Sequence, residues 1–238
     1  MTRITTSLAL SALAALAQAT TAQASVTYTD ATFNNADWGF EVVNVGTPGG
    51  ANAAQSAGTG NPGSARRVTI STGPNFGDAT YAINRFGTTT ATRYTASTQG
   101  QILSINFSID ARFVTGTFTG QGQGVYAQAK QGNNIYVAGV GVTGSTGNWT
   151  TLSASGISAA NFIQIAGTTA PIDFSATGAP IRFGFASANS NGGSPYTITV
   201  DYDNFNFEVI NVPAPNAALL AVAGATIIAR RRRSYHRA

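Results

Sequence analysis

The residue types able to do chemistry in this sequence are few, and they exclude more than they permit. Cysteine is absent, and the one histidine, His236, lies beyond an arginine cluster near the C-terminus. The rest of the chain therefore has no Ser-His-Asp triad, no Cys-His pair, no thiolate and no imidazole metal ligand. Gly-rich stretches such as Gly116 to Gly124 lack the Lys-Ser/Thr ending of a phosphate-binding loop and the strand-to-helix setting of a dinucleotide site. They read as connections between strands. Carboxylates remain. Glu41, Glu208, Asp201 and Asp203 are candidates for a paired acid and base, the alternative reading in which the chain is a polysaccharide-active glycosidase or lyase. Asp201 and Asp203 stand two apart on one predicted strand, so they would approach a glycosidic bond from one side rather than flank it. The favoured expectation is a chain with no catalytic residue.

Two other chemistries are open. Asp201, Asp203 and Asn204 offer hard oxygen ligands, with Asp30 as a distant partner, for a structural Ca²⁺ ion; solvated acids or an Asx turn at a β-bulge would explain the same residues. Trp38, Tyr126, Tyr136 and Trp149 fall near turns or on strands with ambiguous alternation. Their rings would stack on sugars if exposed, or fill the core if not.

Charge narrows the partners. The chain carries a formal +4, yet six of its 13 Lys and Arg residues lie in the terminal segments. Residues 25–211 hold seven Lys and Arg against nine acids, a net charge of −2. A nucleic-acid binder needs clustered positive charge, and Arg66-Arg67 is the only adjacent pair in that region, so nucleic acid is set aside.

The elements that would position these residues are strands. Clusters of Gly, Asn, Ser and Thr separate short runs rich in β-branched and aromatic residues. In Gln101 to Val114, Leu103, Ile105, Phe107, Ile109, Ala111 and Phe113 alternate with Ser104, Asn106, Ser108, Asp110 and Arg112, which predicts one buried and one wet face. Further strands are predicted over Val26–Phe33, Gly39–Val45, Arg67–Ser71, Thr80–Phe86, Val125–Lys130, Ile135–Val142, Ile181–Ala186 and Tyr196–Val209. Gln131 to Asn134 should turn a hairpin. Nine such strands without βα alternation predict an all-β, antiparallel jelly-roll β-sandwich, with a closed barrel as the structural alternative. In the last strand Ile198, Val200 and Tyr202 hold one parity and Phe205, Phe207 and Val209 the other. A β-bulge near Asp203-Asn204 would keep both sets inward.

The ends are address segments. Residues 1–24 fit a secretory signal peptide: Arg3, an apolar run from Leu8 to Ala17, and the small-x-small pattern Ala22-Gln23-Ala24, which would leave Ser25 as the first mature residue. Residues 25–211 are then the β-sandwich domain. In residues 212–238, Val212-Pro213-Ala214-Pro215 precedes an apolar helix expected over 216–229 and the cluster Arg230, Arg231, Arg232 and Arg233. That segment is short for the hydrocarbon core, though arginine stems can snorkel. Adjacent arginines resist translocation, so the tail would halt in the inner membrane with the domain outside.

On those residues the tail resembles the PEP-CTERM sorting signal, with Ala214 where that family usually has Glu. The resemblance implies an exosortase-type sorting protease as partner, an inner-membrane anchor before processing, and delivery to the cell envelope or extracellular matrix. The run from Trp149 through Phe162, Asp173-Phe174-Ser175, Ile181-Arg182-Phe183-Gly184-Phe185 and Asn189-Ser190 to Asp203-Asn204-Phe205 resembles the concanavalin A-like cargo domains attached to such tails. The expected activity is non-enzymatic, at most polysaccharide binding, with no cofactor beyond the Ca²⁺ ion considered above.

Overall fold

The computed structural model describes residues 23–117, 122–145 and 147–212. The signal segment through Ala22, and the tail from Pro213 with Ala214, Pro215 and Arg230, Arg231, Arg232 and Arg233, lie outside the described residues. Among the described residues no helix is long and apolar enough to cross a membrane.

Twelve strands follow one another: β1 (Ala24–Asp30), β2 (Trp38–Val45), β3 (Gly50–Gly60), β4 (Gly63–Ser71), β5 (Ala79–Phe86), β6 (Gln101–Gly116), β7 (Gly124–Gln131), β8 (Asn134–Val142), β9 (Thr150–Ile157), β10 (Ile163–Ala166), β11 (Ile181–Ser190) and β12 (Thr197–Val212). They build two antiparallel six-stranded sheets. Sheet A runs β3-β4-β12-β6-β9 with β1 also paired to β12, and sheet B runs β10-β8-β7-β11-β5-β2. The β7–β8 hairpin closes where the sequence places it, with Gln131 opposite Asn134 and Gly132 at φ 60°. That backbone region suits glycine at the first central position of a two-residue turn.

Sequence patterning misses β3, β9 and β10. Each is an edge strand. An edge strand makes one ladder and has little obligation to bury large side chains. In β3, Gly-Ala-Asn-Ala-Ala-Gln-Ser-Ala-Gly-Thr-Gly, no apolar residue exceeds alanine, so no period-2 signal exists to be seen.

Strand β12 organises sheet A. One of its sides pairs with β6 throughout; the other pairs first with β4, from Thr197 to Tyr202, and then with β1, from Phe205 to Asn211. Asp203 and Asn204 fall in the gap between the two shorter strands. There Asn204 takes φ 50° and the register against β6 shifts between Asp203 and Asn206. Asn tolerates the left-handed region better than most side chains. The shift reverses parity, and Ile198, Val200, Tyr202, Phe205, Phe207 and Val209 all enter the core, as the phase slip predicts. A second shift, between Ile210 and Asn211, corrects the expectation for Leu103: Leu103 is 40% exposed, and Ile102 is buried instead.

The groups left unpaired in the gap are satisfied from the β3–β4 hairpin. The Asn61 amide and the Asn204 amide both donate to the Asp203 carboxylate, and the Asn204 side chain donates to the Asn61 carbonyl and to Asp110 Oδ2, each at 2.8 Å. Asp110 faces Asp203 across β6 and also accepts from Thr151 at 2.5 Å. Burial, with repulsion from Asp110 and Asp30, raises the Asp203 pKa despite those two backbone donors. Asp30 behaves oppositely. Burial alone would raise it, but donors outweigh that: Trp38 Nε1 at 2.7 Å, the Thr32 amide and hydroxyl at 2.7 Å each, and the Phe33 amide at 3.1 Å.

Between the sheets sits an aromatic core. Phe183 stacks on Phe207 with ring centroids 4.4 Å apart, and Trp38 meets Phe205 edge-on at 5.1 Å. Arg66 is buried there too. Its guanidinium lies over the Trp38 ring at 5.6 Å and donates to Asn84 at 2.6 Å, and burial lowers its pKa to about 10 against the raising effect of Asp30.

Two predictions follow from this packing. Phe207→Ala should cost about 3–5 kcal/mol in denaturant unfolding, whereas Phe76→Ala, at a residue 83% exposed, should stay within roughly 0.5 kcal/mol; equal losses would contradict the core assignment. The second concerns pH. The Asp30 proton is lost more readily in the folded chain, so its stabilisation is present at neutral pH and disappears as pH falls through its folded pKa. Asp203 holds its proton to higher pH when folded, so its ionisation costs stability at neutral pH, and stability returns as pH falls through its folded pKa. Thermal melts should therefore find Asp30→Asn destabilising at pH 7 by about 1–3 kcal/mol, with the difference shrinking in acid. Asp203→Asn should be neutral or stabilising at pH 7, and an equal loss in both variants would refute the assignment.

Candidate functional site

The four residues considered for Ca²⁺ are not assembled around one point. Asp201, fully buried, spends both oxygens on guanidinium groups: Arg67 Nε at 2.7 Å and Nη2 at 2.9 Å, and Arg112 Nη2 at 2.9 Å. Asp203 and Asn204 serve the bulge, and Asp30 ties down the turn that follows β1. Among the described residues no group of three or more His, Cys, Asp or Glu side chains is placed to hold a metal ion. Asp203 and Asn204 sit at the bulge, Asp201 is buried in ion pairs, and the Asx-type contact is made by Asp30, whose Oδ1 accepts from the Thr32 amide. The carboxylates considered for catalysis are dispersed as well. Glu208 lies on the outer face of sheet A, where it accepts from Asn106 at 2.9 Å. Glu41 lies on the outer face of sheet B, with both sheets between them.

Two of the four candidate sugar-stacking rings fill the core, the alternative that the sequence left open, and this corrects their candidacy as carbohydrate-binding residues. Trp38 is 4% exposed and stacks on Phe33 at 5.1 Å. Tyr136 is 1% exposed, and its hydroxyl donates to the Ala170 carbonyl at 2.9 Å. Their strands' parity turns them inward with Phe40 and Ala138. Trp149 is half-buried beside sheet A under the Arg112 guanidinium, 4.8 Å from the ring centroid. Tyr126 alone projects from the outer face of sheet B. Its neighbour is Tyr81, a ring that the sequence analysis did not single out, at 5.9 Å and 55°. In β5 either parity carries apolar residues, so alternation could not tell that Tyr81 points outward.

The outer face of sheet B is where side chains converge. The sheet curls so strongly that Cα atoms of its two edge strands, β10 and β2, come within 8 Å of each other. The resulting trough has a small apolar floor of its own, made by Ile83, Ile135, Val137 and Ala186 with Tyr81 and Tyr126 packed against it. The next row holds Gln128, Gly184 and Arg85 on neighbouring strands. A Cβ on Gly184 would collide with the Asn84 carbonyl, so this position admits no side chain. Across that row Lys130 reaches from β7 to Glu41 on β2, at 3.1 and 3.2 Å, and Arg85 approaches Glu41 at 3.4 Å.

This trough leaves polar atoms unsatisfied. Gln128 is fully buried, and neither its amide nitrogen nor its amide oxygen has a protein partner; Arg85 Nε and Arg182 Nε are in the same condition. Buried polar groups without partners are costly, and Gln128 has no exposed surface; the groups an incoming ligand can reach are the partly exposed Arg85 and Lys130 side chains above it. At one end the trough deepens into a cavity of about 140 Å³ lined by Arg85, Arg93, Lys130, Gly132, Pro180 and Arg182. Burial and the charges of Arg93 and Arg85 lower the Arg182 pKa. The trough's carboxylate, Glu41, is held in ion pairs by Lys130 and Arg85, and beside that pair the arrangement offers ring faces and hydrogen-bond donors.

No family model and no curated protein matches the chain. Among solved structures it is similar to the family 11 carbohydrate-binding module of the cellulosomal cellulase Lic26A-Cel5E of Clostridium thermocellum, at 12% identity and a TM-score of 0.44 over 77% of this chain and 95% of that one. It is also similar to the CBM22-1 xylan-binding domain of Paenibacillus barcinonensis Xyn10C, at 9% identity and a TM-score of 0.38 over 80% and 98% of the two chains.

Proposed function

We propose that this is an exported bacterial surface protein, sorted through its C-terminal tail by an exosortase-type system, whose jelly-roll sandwich binds polysaccharide without cleaving it. The observation that carries the binding reading is the outer face of sheet B. There the Tyr81 and Tyr126 rings share the face with the Lys130 ammonium and the Arg85 and Arg182 guanidinium groups. Sugars present C–H faces to aromatic rings and hydroxyls to ammonium and guanidinium groups, which is the mixture this trough supplies.

The ends of the sandwich support the sorting reading. Ala24 pairs with Asn211 and Ser25 with Ile210, so the proposed signal-cleavage point and the last residues before the proposed sorting motif lie side by side on neighbouring strands. Cleavage between Ala24 and Ser25 would remove only one pairing from β1. Val212 is still paired, with Gln101, whereas Pro213 has no N–H to extend the ladder. The sorting motif proposed over Val212-Pro213-Ala214-Pro215 would begin at the last paired residue of β12.

Affinity electrophoresis of the purified protein through gels containing envelope or matrix glycans tests the binding. Retention is expected, with affinity reduced roughly tenfold by Tyr126→Ala and unchanged by Trp149→Ala on the other side of the sandwich. The reading fails if no glycan retards the protein, or if both substitutions act alike. Intact-mass analysis of surface-released protein checks the sorting: chain ends are expected near Pro213 to Pro215, without the arginines, and a retained tail would count against processing.

A further inference from the structure

Resting on the polysaccharide reading, we infer that the preferred glycan is acidic: the cavity lined by Arg85, Arg93, Lys130 and Arg182 takes an anionic substituent, a carboxylate or sulfate group, of the bound chain. These four residues are more than half of the seven Lys and Arg residues in 25–211, a region with net charge −2. The other three are accounted for elsewhere. Arg67 and Arg112 are held by Asp201, and Arg66 is buried between the sheets. Around the cavity Glu41 is the one carboxylate, among the described residues, paired with any of the four, and it is shared by Arg85 and Lys130. Arg93 is exposed and has no carboxylate partner, while Arg182 donates only to the Thr88 and Thr89 carbonyls, at 3.3 Å each. Four positive charges against one negative charge leave an unneutralised site, because like charges this close are held together at a cost that an anion removes.

Size and shape favour a substituent on a sugar over a lipid surface. A cavity of about 140 Å³ is well below the roughly 300–1,000 Å³ of a site that encloses a whole small molecule. It fits one charged group, with the rest of the ligand lying outside. The side chains of Arg85 and Lys130 are only 17% and 22% exposed, so their charge is recessed; a flat lipid headgroup layer would need it protruding. Tyr126, Gln128 and Lys130 follow one another on the same face of β7 over about 13 Å. A polymer lying along that line would touch a ring at one end and the basic cavity at the other.

The test uses the purified protein and matched glycan pairs that differ in charge: polygalacturonate against its methyl ester, and dextran sulfate against dextran. At least one acidic form is expected to bind roughly tenfold or more tightly than its uncharged counterpart. Arg93→Glu and Arg182→Gln should erase that preference, with affinity for the acidic form falling roughly tenfold or more and affinity for the uncharged form falling much less. Glu41→Gln, which frees Arg85 and Lys130 from their carboxylate, should widen it severalfold. If both members of each pair bind equally, or if the arginine variants keep the preference, the anion assignment falls while polysaccharide binding stands. Failure to retain any glycan, charged or neutral, would sink the polysaccharide reading itself. Should phosphatidylglycerol vesicles bind in an Arg93-dependent way while acidic glycans do not, the cavity belongs to a membrane-facing surface and the inference is overturned.

Discussion

An aromatic core to which one sixteen-residue strand contributes Tyr202, Phe205 and Phe207 requires that strand to present both of its apolar runs to the same side, and a regular strand cannot do so across an odd step. In β12 the conflict is resolved at Asn204, whose left-handed backbone reverses the parity. Without the reversal Phe205, Phe207 and Val209 would face solvent, and the stacked pair Phe183–Phe207 would not exist. The bulge in turn creates a gap between β4 and β1 whose polar groups must be satisfied. Asn61, Asp110 and Thr151 satisfy them from the hairpin tip and the neighbouring strands. Asp203 and Asn204, two of the residues considered for a metal site, are thereby committed to holding two half-length strands against a full-length one.

The two outer faces treat charge differently. On sheet A, Asp201 draws Arg67 and Arg112 onto itself, and cross-strand hydroxyl pairs such as Thr69–Thr199 at 2.9 Å and Ser71–Thr197 at 2.7 Å complete a surface whose polar groups answer one another. On sheet B the curl of the sheet buries polar atoms that find no protein partner and gathers cations in excess of their one carboxylate. A face that satisfies itself has nothing to offer a ligand, whereas one left short of acceptors does. This asymmetry, more than the number of aromatic residues, distinguishes the two faces.

Much of the architecture is legible in local pattern. The strand that slips phase, the Gln131–Asn134 hairpin and the alternation from Ile105 to Ile109 are all carried by neighbours in sequence, where period-2 burial leaves a direct trace. Edge strands β3, β9 and β10 leave little trace, because a strand paired on one side can be built from Gly, Ala, Ser and Thr. Trp38 and Tyr136 could not be assigned to a face, since an aromatic ring suits either side of a half-buried strand until its partners are known.

The amino-acid sequence by itself determined the all-β class, the parity reversal in the last strand and the exclusion of thiol and imidazole chemistry, because these depend on residue identity and on spacing along one strand. The tertiary structure alone decided which rings face outward and that Gln128 is buried without a partner. It also brought Arg85, Arg93, Lys130 and Arg182, spread over nearly a hundred residues, around one cavity. The physical reason is that sheet curvature and strand order set distances between residues far apart in the chain, and no local periodicity encodes those distances.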